Sequence, residues 1–239
     1  EQARYDVADR YLQPAERSHW LAVIADRLRS RIAGTPADDE RLLTLFRYLI
    51  EFSGDVAELR GFLAGDGVPA GVEIDNDTSW RILYRLAVLG EVDEAEIDSA
   101  FRAEPNAQAE QFAFKARAGR PDPEAKRDAW ESIMRDPTLS NYQLWSLSEG
   151  FWQPEQLELT EPYVQRFFEE MPDAAKLRGD LVLDVLLRTF YPRYAASEQT
   201  LARAAELVGQ EDISLPLRRR VADFTDDLRR VVNSRARNR

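Results

Sequence analysis

His19 is the only histidine among the 239 residues, which narrows the metal and acid–base chemistry open to this chain. A zinc helix of the His-Glu-x-x-His kind needs two imidazoles on one face, so none can be written here. As a general base His19 would need a nucleophile and an orienting partner. The sequence points to neither, and it reads as a surface or half-buried helical residue. Carboxylates are abundant, 43 in all, and several are adjacent: Asp38, Asp39 and Glu40; Glu169 and Glu170; Asp226 and Asp227. A hydrolytic dyad needs two environments that drive the pKa values apart; in so acidic a chain these runs read as solvated helix faces. Asp75, Asn76 and Asp77 could supply oxygen ligands, but they lack the alternating order and closing Glu of a calcium loop. Capping of the Trp80 helix by Asp77 or Thr78 is the plainer role. The Gly65–Gly67 turn lacks the strand, spacing and Lys of a phosphate loop. The densest aromatic stretch is LSNYQLWSLSEGFWQP, Leu139–Pro154. Its Tyr142, Trp145, Phe151 and Trp152 either build a core or line a groove that contacts peptide, and burial decides between the two.

Helices must position these residues. Apolar residues recur at helical spacing throughout, and no stretch alternates as a strand would. Trp20, Leu21, Ile24, Leu28 and Ile32 mark a helix over 15–33, opened by Pro14 and closed by Gly34. Further helices are expected over 37–53, 55–64, Thr78–Leu89, Glu94–Ala103, Asn106–Ala118, Pro123–Arg135 and Ser140–Glu149. A helix over Glu155–Glu170 should kink or break at Pro162. Asp173–Tyr191, Ser197–Val208 and Leu215–Asn233 complete the set. Gly65–Asp77, GDGVPAGVEIDND, is the clearest break. It either divides 1–64 from 78–239 or forms a long surface loop within one domain covering 1–239. No fixed-period repeat is visible. The expected fold is all-α, an irregular HEAT-like superhelix of stacked helix hairpins.

A net charge of −11 disfavours nucleic acid and anionic membrane surfaces as partners. The C-terminal arginines, Arg218 to Arg220 and Arg229 to Arg239, are interleaved with Asp223, Asp226 and Asp227. Cations there suit a helix C-terminus. All but three of the 32 Lys and Arg are arginine, the residue suited to bidentate carboxylate pairs. The absence of cysteine excludes disulfides and thiolate metal sites and fits a cytoplasmic location. No apolar run reaches the ~18 residues needed to span a membrane. The N-terminus carries neither a signal pattern nor a Met, which leads us to expect a piece of a longer polypeptide.

Four stretches together resemble the C-terminal helical domain of actinobacterial aminopeptidase N, the domain shared with the endoplasmic reticulum aminopeptidases. They are VPAGVEIDNDTSWRILYRLAVLG (Val68–Gly90), RPDPEAKRDAWESIM (Arg120–Met134), LSNYQLWSLSEGFWQPEQ (Leu139–Gln156) and LTEPYVQRFFEEMPD (Leu159–Asp173), the last followed by TFYPRY (Thr189–Tyr194). Residues 1–67 and 195–239 agree in helical character only. The resemblance implies a non-catalytic domain of a zinc enzyme of the gluzincin class. In that family the zinc motif, the exopeptidase loop and the transition-state tyrosine lie upstream. None of these motifs occurs in this chain, so no catalytic or metal residue is carried over. The implied partners are the upstream catalytic domain and peptide substrates, with zinc held by the parent enzyme. The implied role is to enclose the peptide cavity and control access. The alternative is a free-standing helical scaffold that binds a protein or peptide in its concave groove. Tyr142, Trp145, Phe151 and Trp152 are the groove candidates under either view.

Overall fold

The computed structural model describes residues 8–237 and, among them, twelve α-helices and no strand. The chain divides into two compact units, Glu1–Ala116 and Arg117–Arg239. The first holds α1 (Pro14–Ala33), α2 (Leu42–Phe52), α3 (Val56–Ala64), α4 (Asn76–Val88) and α5 (Glu94–Ala103); the division falls within α6 (Ala107–Gly119). The second holds α7 (Pro123–Arg135), α8 (Asn141–Phe151), α9 (Leu157–Lys176), α10 (Asp180–Phe190), α11 (Glu198–Gly209) and α12 (Leu215–Arg237). No helix among the described residues is long and apolar enough to cross a membrane.

Short polar caps set most of the helix starts. Asp55, Asp75, Asp93, Asp122, Ser140 and Ser197 each accept a hydrogen bond from the backbone N–H three residues on. Each such cap satisfies a donor that the first turn leaves without a partner, for about 1 kcal/mol. The cap of the Trp80 helix is Asp75, not Asp77 or Thr78: the Asp75 carboxylate sits 2.7 Å from the Thr78 N–H. The expected 37–53 helix starts at Leu42 and the last helix runs on to Arg237, but the largest departure from the sequence reading is between α9 and α10. In place of a break at Pro162 and a new helix at Asp173, α9 runs unbroken through Pro162 and Pro172 to Lys176. Pro162 and Glu158 are both exposed, so water can bond the Glu158 carbonyl that the proline leaves without a partner. The chain turns instead at Leu177–Gly179. There Arg178 donates to the carbonyls of Ile133 and Asp136 (3.2 and 2.7 Å), tying the turn to the end of α7.

In the first unit α1 packs on α2, and α2 and α3 pack on α4. Phe46, Ile50, Leu59, Ile82, Leu86 and Ile97 form the centre of its core. Gly65–Asp77 belongs to this unit, and Val68, Val72 and Ile74 pack against its core. Gly71 adopts φ 90°, and a Cβ there would lie 2.0 Å from the Ala37 carbonyl oxygen, so only glycine lets this segment approach so closely.

In the second unit α7 packs on α8 and α9, α8 on α10, α10 on α12, and α11 on both α9 and α12. Its core is aromatic. Trp130 lies within 5.0–6.4 Å of Tyr163, Phe190, Phe151 and Trp152, measured between ring centroids. The ring planes meet at angles from 44° to 90°, the tilted and edge-on arrangements that aromatic quadrupoles favour.

Candidate functional site

The Leu139–Pro154 stretch folds as α8 and the short bend after it. Pro137 precedes the helix, and Ser140 starts it with a reciprocal cap. The Gln143 N–H donates to the Ser140 hydroxyl (3.2 Å), and the Ser140 N–H donates to the Gln143 side chain (3.0 Å). From there α8 is enclosed on most sides: Leu144, Ser146, Leu147, Ser148, Gly150 and Phe151 are all buried. Only a narrow strip faces outward.

The four aromatic candidates therefore separate into two pairs. Phe151 and Trp152 are 0% and 5% exposed and belong to the aromatic core. The Trp152 indole N–H donates to the Phe190 carbonyl (2.7 Å), giving the end of α10 a partner it would otherwise lack. Tyr142 and Trp145 are 63% and 44% exposed and lie on the outward strip. A helical period brings Glu149 onto the same strip, and the Trp145 indole N–H donates to Glu149 Oε1 (2.7 Å).

At the buried end of α8 lies an ionisable group that the sequence reading did not single out. Lys126, on α7, is fully buried. Its Nζ donates to the carbonyls of Ala118 and Phe151, each at 2.6 Å, near the end of α6 and at the last residue of α8. Gln156 supports the same place, donating to the Gly119 carbonyl at 2.8 Å. Burial lowers the Lys126 pKa to about 7, against the raising influence of nearby Glu155. In its neutral state the amine has two N–H bonds, one for each carbonyl. A lysine within an otherwise polar run, EAKRD, gives no sequence signal of burial; only the packing reveals it.

Trp130 is tied to a surface charge network. Its indole N–H reaches Glu170 Oε2 at 3.1 Å, and the Arg166 guanidinium sits 5.0 Å over its ring. Arg166 in turn pairs with Glu170 (2.6 Å) and Glu131 (3.2 Å). Burial raises the Glu170 pKa, but hydrogen bonds from Arg166 and Trp130 outweigh it and hold the carboxyl below its usual range. Tyr191 is buried as well, its hydroxyl 2.9 Å from Thr225 Oγ1, and burial pushes its pKa up to about 12.

The other candidates from the sequence carry local roles. His19 is exposed and meets Trp20 edge-on at 5.5 Å. Asp75 caps α4, and Asp77 pairs with Arg47 (3.0 Å) and Arg81 (2.8 Å), so the carboxylates of that segment already face cations and N–H donors. Among the described residues no three His, Asp or Glu converge as a metal-ligand set. The first unit has an open depression with an apolar floor that includes Ile32, Leu42, Leu49 and Phe62. The charges at its edge pair with each other, Arg29 binding both Glu58 oxygens at 2.7 and 2.8 Å.

The sequence model of the ERAP1-like C-terminal domain matches residues 2–230, across both units. The chain belongs to this family. It is also similar to an aminopeptidase N from Streptomyces lividans, with 27% identity over 234 residues, or 95% of this chain. The chain spans 27% of that relative's length. With one histidine and no convergent ligand set, the described residues of this family member do not fit a zinc centre.

Proposed function

We propose that this chain is the non-catalytic C-terminal domain of a zinc-dependent aminopeptidase N. On this reading it is an α-superhelical cover of stacked hairpins that encloses the active-site cavity of an upstream catalytic domain. It controls which peptides reach the zinc for removal of their N-terminal residues, and it works in the cytoplasm. The zinc, its ligands and the catalytic groups belong to the upstream domain. The observation that carries this reading is the family match over residues 2–230, joined to the likeness to an aminopeptidase N over 95% of the chain. Enclosure has a physical use: it excludes water, orients the peptide, and admits short chains in preference to folded ones.

Exposed leucines in the second unit also support it. At the starts of α10 and α12, Leu181 and Leu215 are 78% and 54% exposed, and with Leu183 and Pro216 they form the apolar part of an open groove that Asp180, Asp184, Arg219, Arg220 and Asp223 also line. Apolar area of this kind is costly to leave in water, and a permanent neighbour within the same polypeptide would cover it.

The test compares the parent enzyme with and without this domain on an aminoacyl anilide and on a series of longer peptides. Removal should erase the dependence of kcat/KM on peptide length. The isolated chain supplied with zinc should leave the anilide intact. Hydrolysis by the isolated chain, or an unchanged length profile after removal, overturns the proposal.

A further inference from the structure

The chain contains one Asp–Gly pair, Asp66–Gly67, and no Asn–Gly pair. It follows α3 in a turn whose hydrogen bonds leave the reactive groups of the pair unengaged. Gly65 adopts φ 85° and its N–H donates to the Phe62 carbonyl (3.1 Å), while the Asp66 N–H donates to the Gly61 carbonyl (2.8 Å). Those two bonds satisfy carbonyls that the end of the helix leaves open. The next N–H, that of Gly67, has no acceptor among the described residues, and the Asp66 carboxylate meets neither a cation nor a donor among them. Both residues are exposed. Gly67 has no Cβ to crowd an approach to its nitrogen, and its φ of 72° is one that glycine adopts freely. A carboxyl carbon and an unbonded amide nitrogen are therefore covalent neighbours, both open to water. The comparable pairs Asp98–Ser99 and Asn233–Ser234 lie inside α5 and α12, where the helix fixes the backbone and engages the amide.

We propose that Asp66–Gly67 is a spontaneous modification site, at which the main chain isomerises to an isoaspartyl linkage that an S-adenosylmethionine-dependent carboxyl methyltransferase recognises. The Gly67 nitrogen attacks the Asp66 Cγ. A C–N bond forms, and the OH of the protonated carboxyl leaves with the amide hydrogen as water, which gives a cyclic imide. Water then opens the ring at one of its two carbonyls. Opening at Cγ restores aspartate. Opening at the main-chain carbonyl carbon leaves the chain running through Cγ, with the α-carboxylate free. Methylation moves a methyl group from the sulfonium sulfur to an oxygen of that carboxylate. The isomer adds one atom to the main chain between two fixed points. One is the Asp66 N–H bonded to α3; the other is Gly71, held against the Ala37 carbonyl. Residues 68–70 must absorb the added length, and Val68 among them packs on the core of the first unit. This chemistry needs no catalytic domain and stands apart from the access role.

The test holds this chain at 37 °C in neutral buffer over weeks, beside a blocked peptide of residues 63–70 in which nothing restrains the turn. Trypsin releases Gly61–Arg81 from the chain. Chromatography separates the isomer, electron-transfer fragmentation places it, and the imide is lighter by one water. Position 66 should isomerise at a rate within about tenfold of the peptide, because no local unfolding has to precede the attack. A purified isoaspartyl carboxyl methyltransferase with tritiated S-adenosylmethionine should label the aged chain and leave the fresh chain unlabelled. Asp66→Glu keeps an exposed carboxylate but must close a larger ring, and should lower both signals at least about tenfold. Asn233–Ser234 should stay unchanged while position 66 converts. A rate below about a tenth of the peptide's, an aged chain without label, label that survives Asp66→Glu, or isomer at Asn233 as fast as at Asp66 overturns the proposal. In the longer parent protein position 66 should convert as it does in this chain. Protection there means that another part of the polypeptide covers the turn, and this also overturns it. None of these readouts needs peptidase activity, so their failure leaves the access role standing, and failure of the length test leaves this site standing.

Discussion

Tyr142 and Trp145 begin the same helix that Phe151 ends, yet the two ends of α8 sit in opposite surroundings. At one end the rings face water, and Trp145 hydrogen-bonds a carboxylate on its own helix. At the other, Phe151 and Trp152 meet Trp130 and Phe190, and the chain's polar atoms are answered by Lys126 and Trp152 from within the core. Four aromatics in one stretch of sequence therefore occupy two environments. The buried pair packs in the aromatic core of the second unit; the exposed pair lies at its surface. The difference teaches that aromatic density alone does not mark a site.

The sharpest way to break this contrast is to remove a ring at the buried end. Phe151→Ala deletes a fully buried side chain in contact with Trp130, Tyr163 and Phe190. It should cost about 3–5 kcal/mol, since the cavity between rigid rings cannot close. Urea denaturation of the chain measures this directly. A loss below about 1 kcal/mol would mean that the rings of this core are not the packed centre their geometry describes.

Lys126 sharpens the same contrast through pH. Its folded-state pKa, about 7, lies below its ordinary value of 10.5. Between those values the unfolded chain binds more protons than the folded one, so this group makes stability rise as pH climbs from about 7 towards about 10.5. Below pH 7 the folded protein must hold a buried ammonium, and its contribution is unfavourable. Lys126→Met removes the titration and leaves the Ala118 and Phe151 carbonyls without their donor. At pH 9 it should cost about 1–3 kcal/mol for those orphaned acceptors. Urea midpoints at pH 7 and pH 9 should differ less in the variant than in the parent sequence. An identical difference would show that the lysine stays charged in the fold.

Much of this arrangement was legible in the sequence, for physical reasons. Caps and breakers are local, and Pro123 to Arg135 and Glu94 to Ala103 began and ended where their residues indicated. The all-α class followed from apolar spacing, which depends on near neighbours. The α9–α10 boundary was not legible, because what ends α9 is Arg178 reaching back to the end of α7, a contact between residues distant in sequence. Lys126 was hidden for the same reason: its burial depends on α6 and α8 closing over it. For the candidate site, composition found all four aromatics but could not sort them. Sorting required the azimuth of each residue around α8 relative to α7 and α10. Glu149 was findable, four residues after Trp145, but only once the outward strip was known.

The smallest expected effect closes the comparison. Tyr142→Gln and Trp145→Gln together replace two exposed aromatics with a residue of good helix propensity. They remove the Trp145–Glu149 hydrogen bond but no helix cap and no bond to the buried lysine. The combined change in stability should stay below about 1 kcal/mol by urea denaturation. The contrast with Phe151→Ala would then exceed threefold within a single helix. A loss of several kcal/mol would mean that the strip is fastened into the fold. In that case its aromatics would be structural, and the contrast between a buried and an exposed end of α8 would fail. A near-silent result has the opposite force: it assigns the stability carried by this stretch to Phe151 and its ring partners, so that two aromatics earlier in the same helix can be exchanged without touching the core.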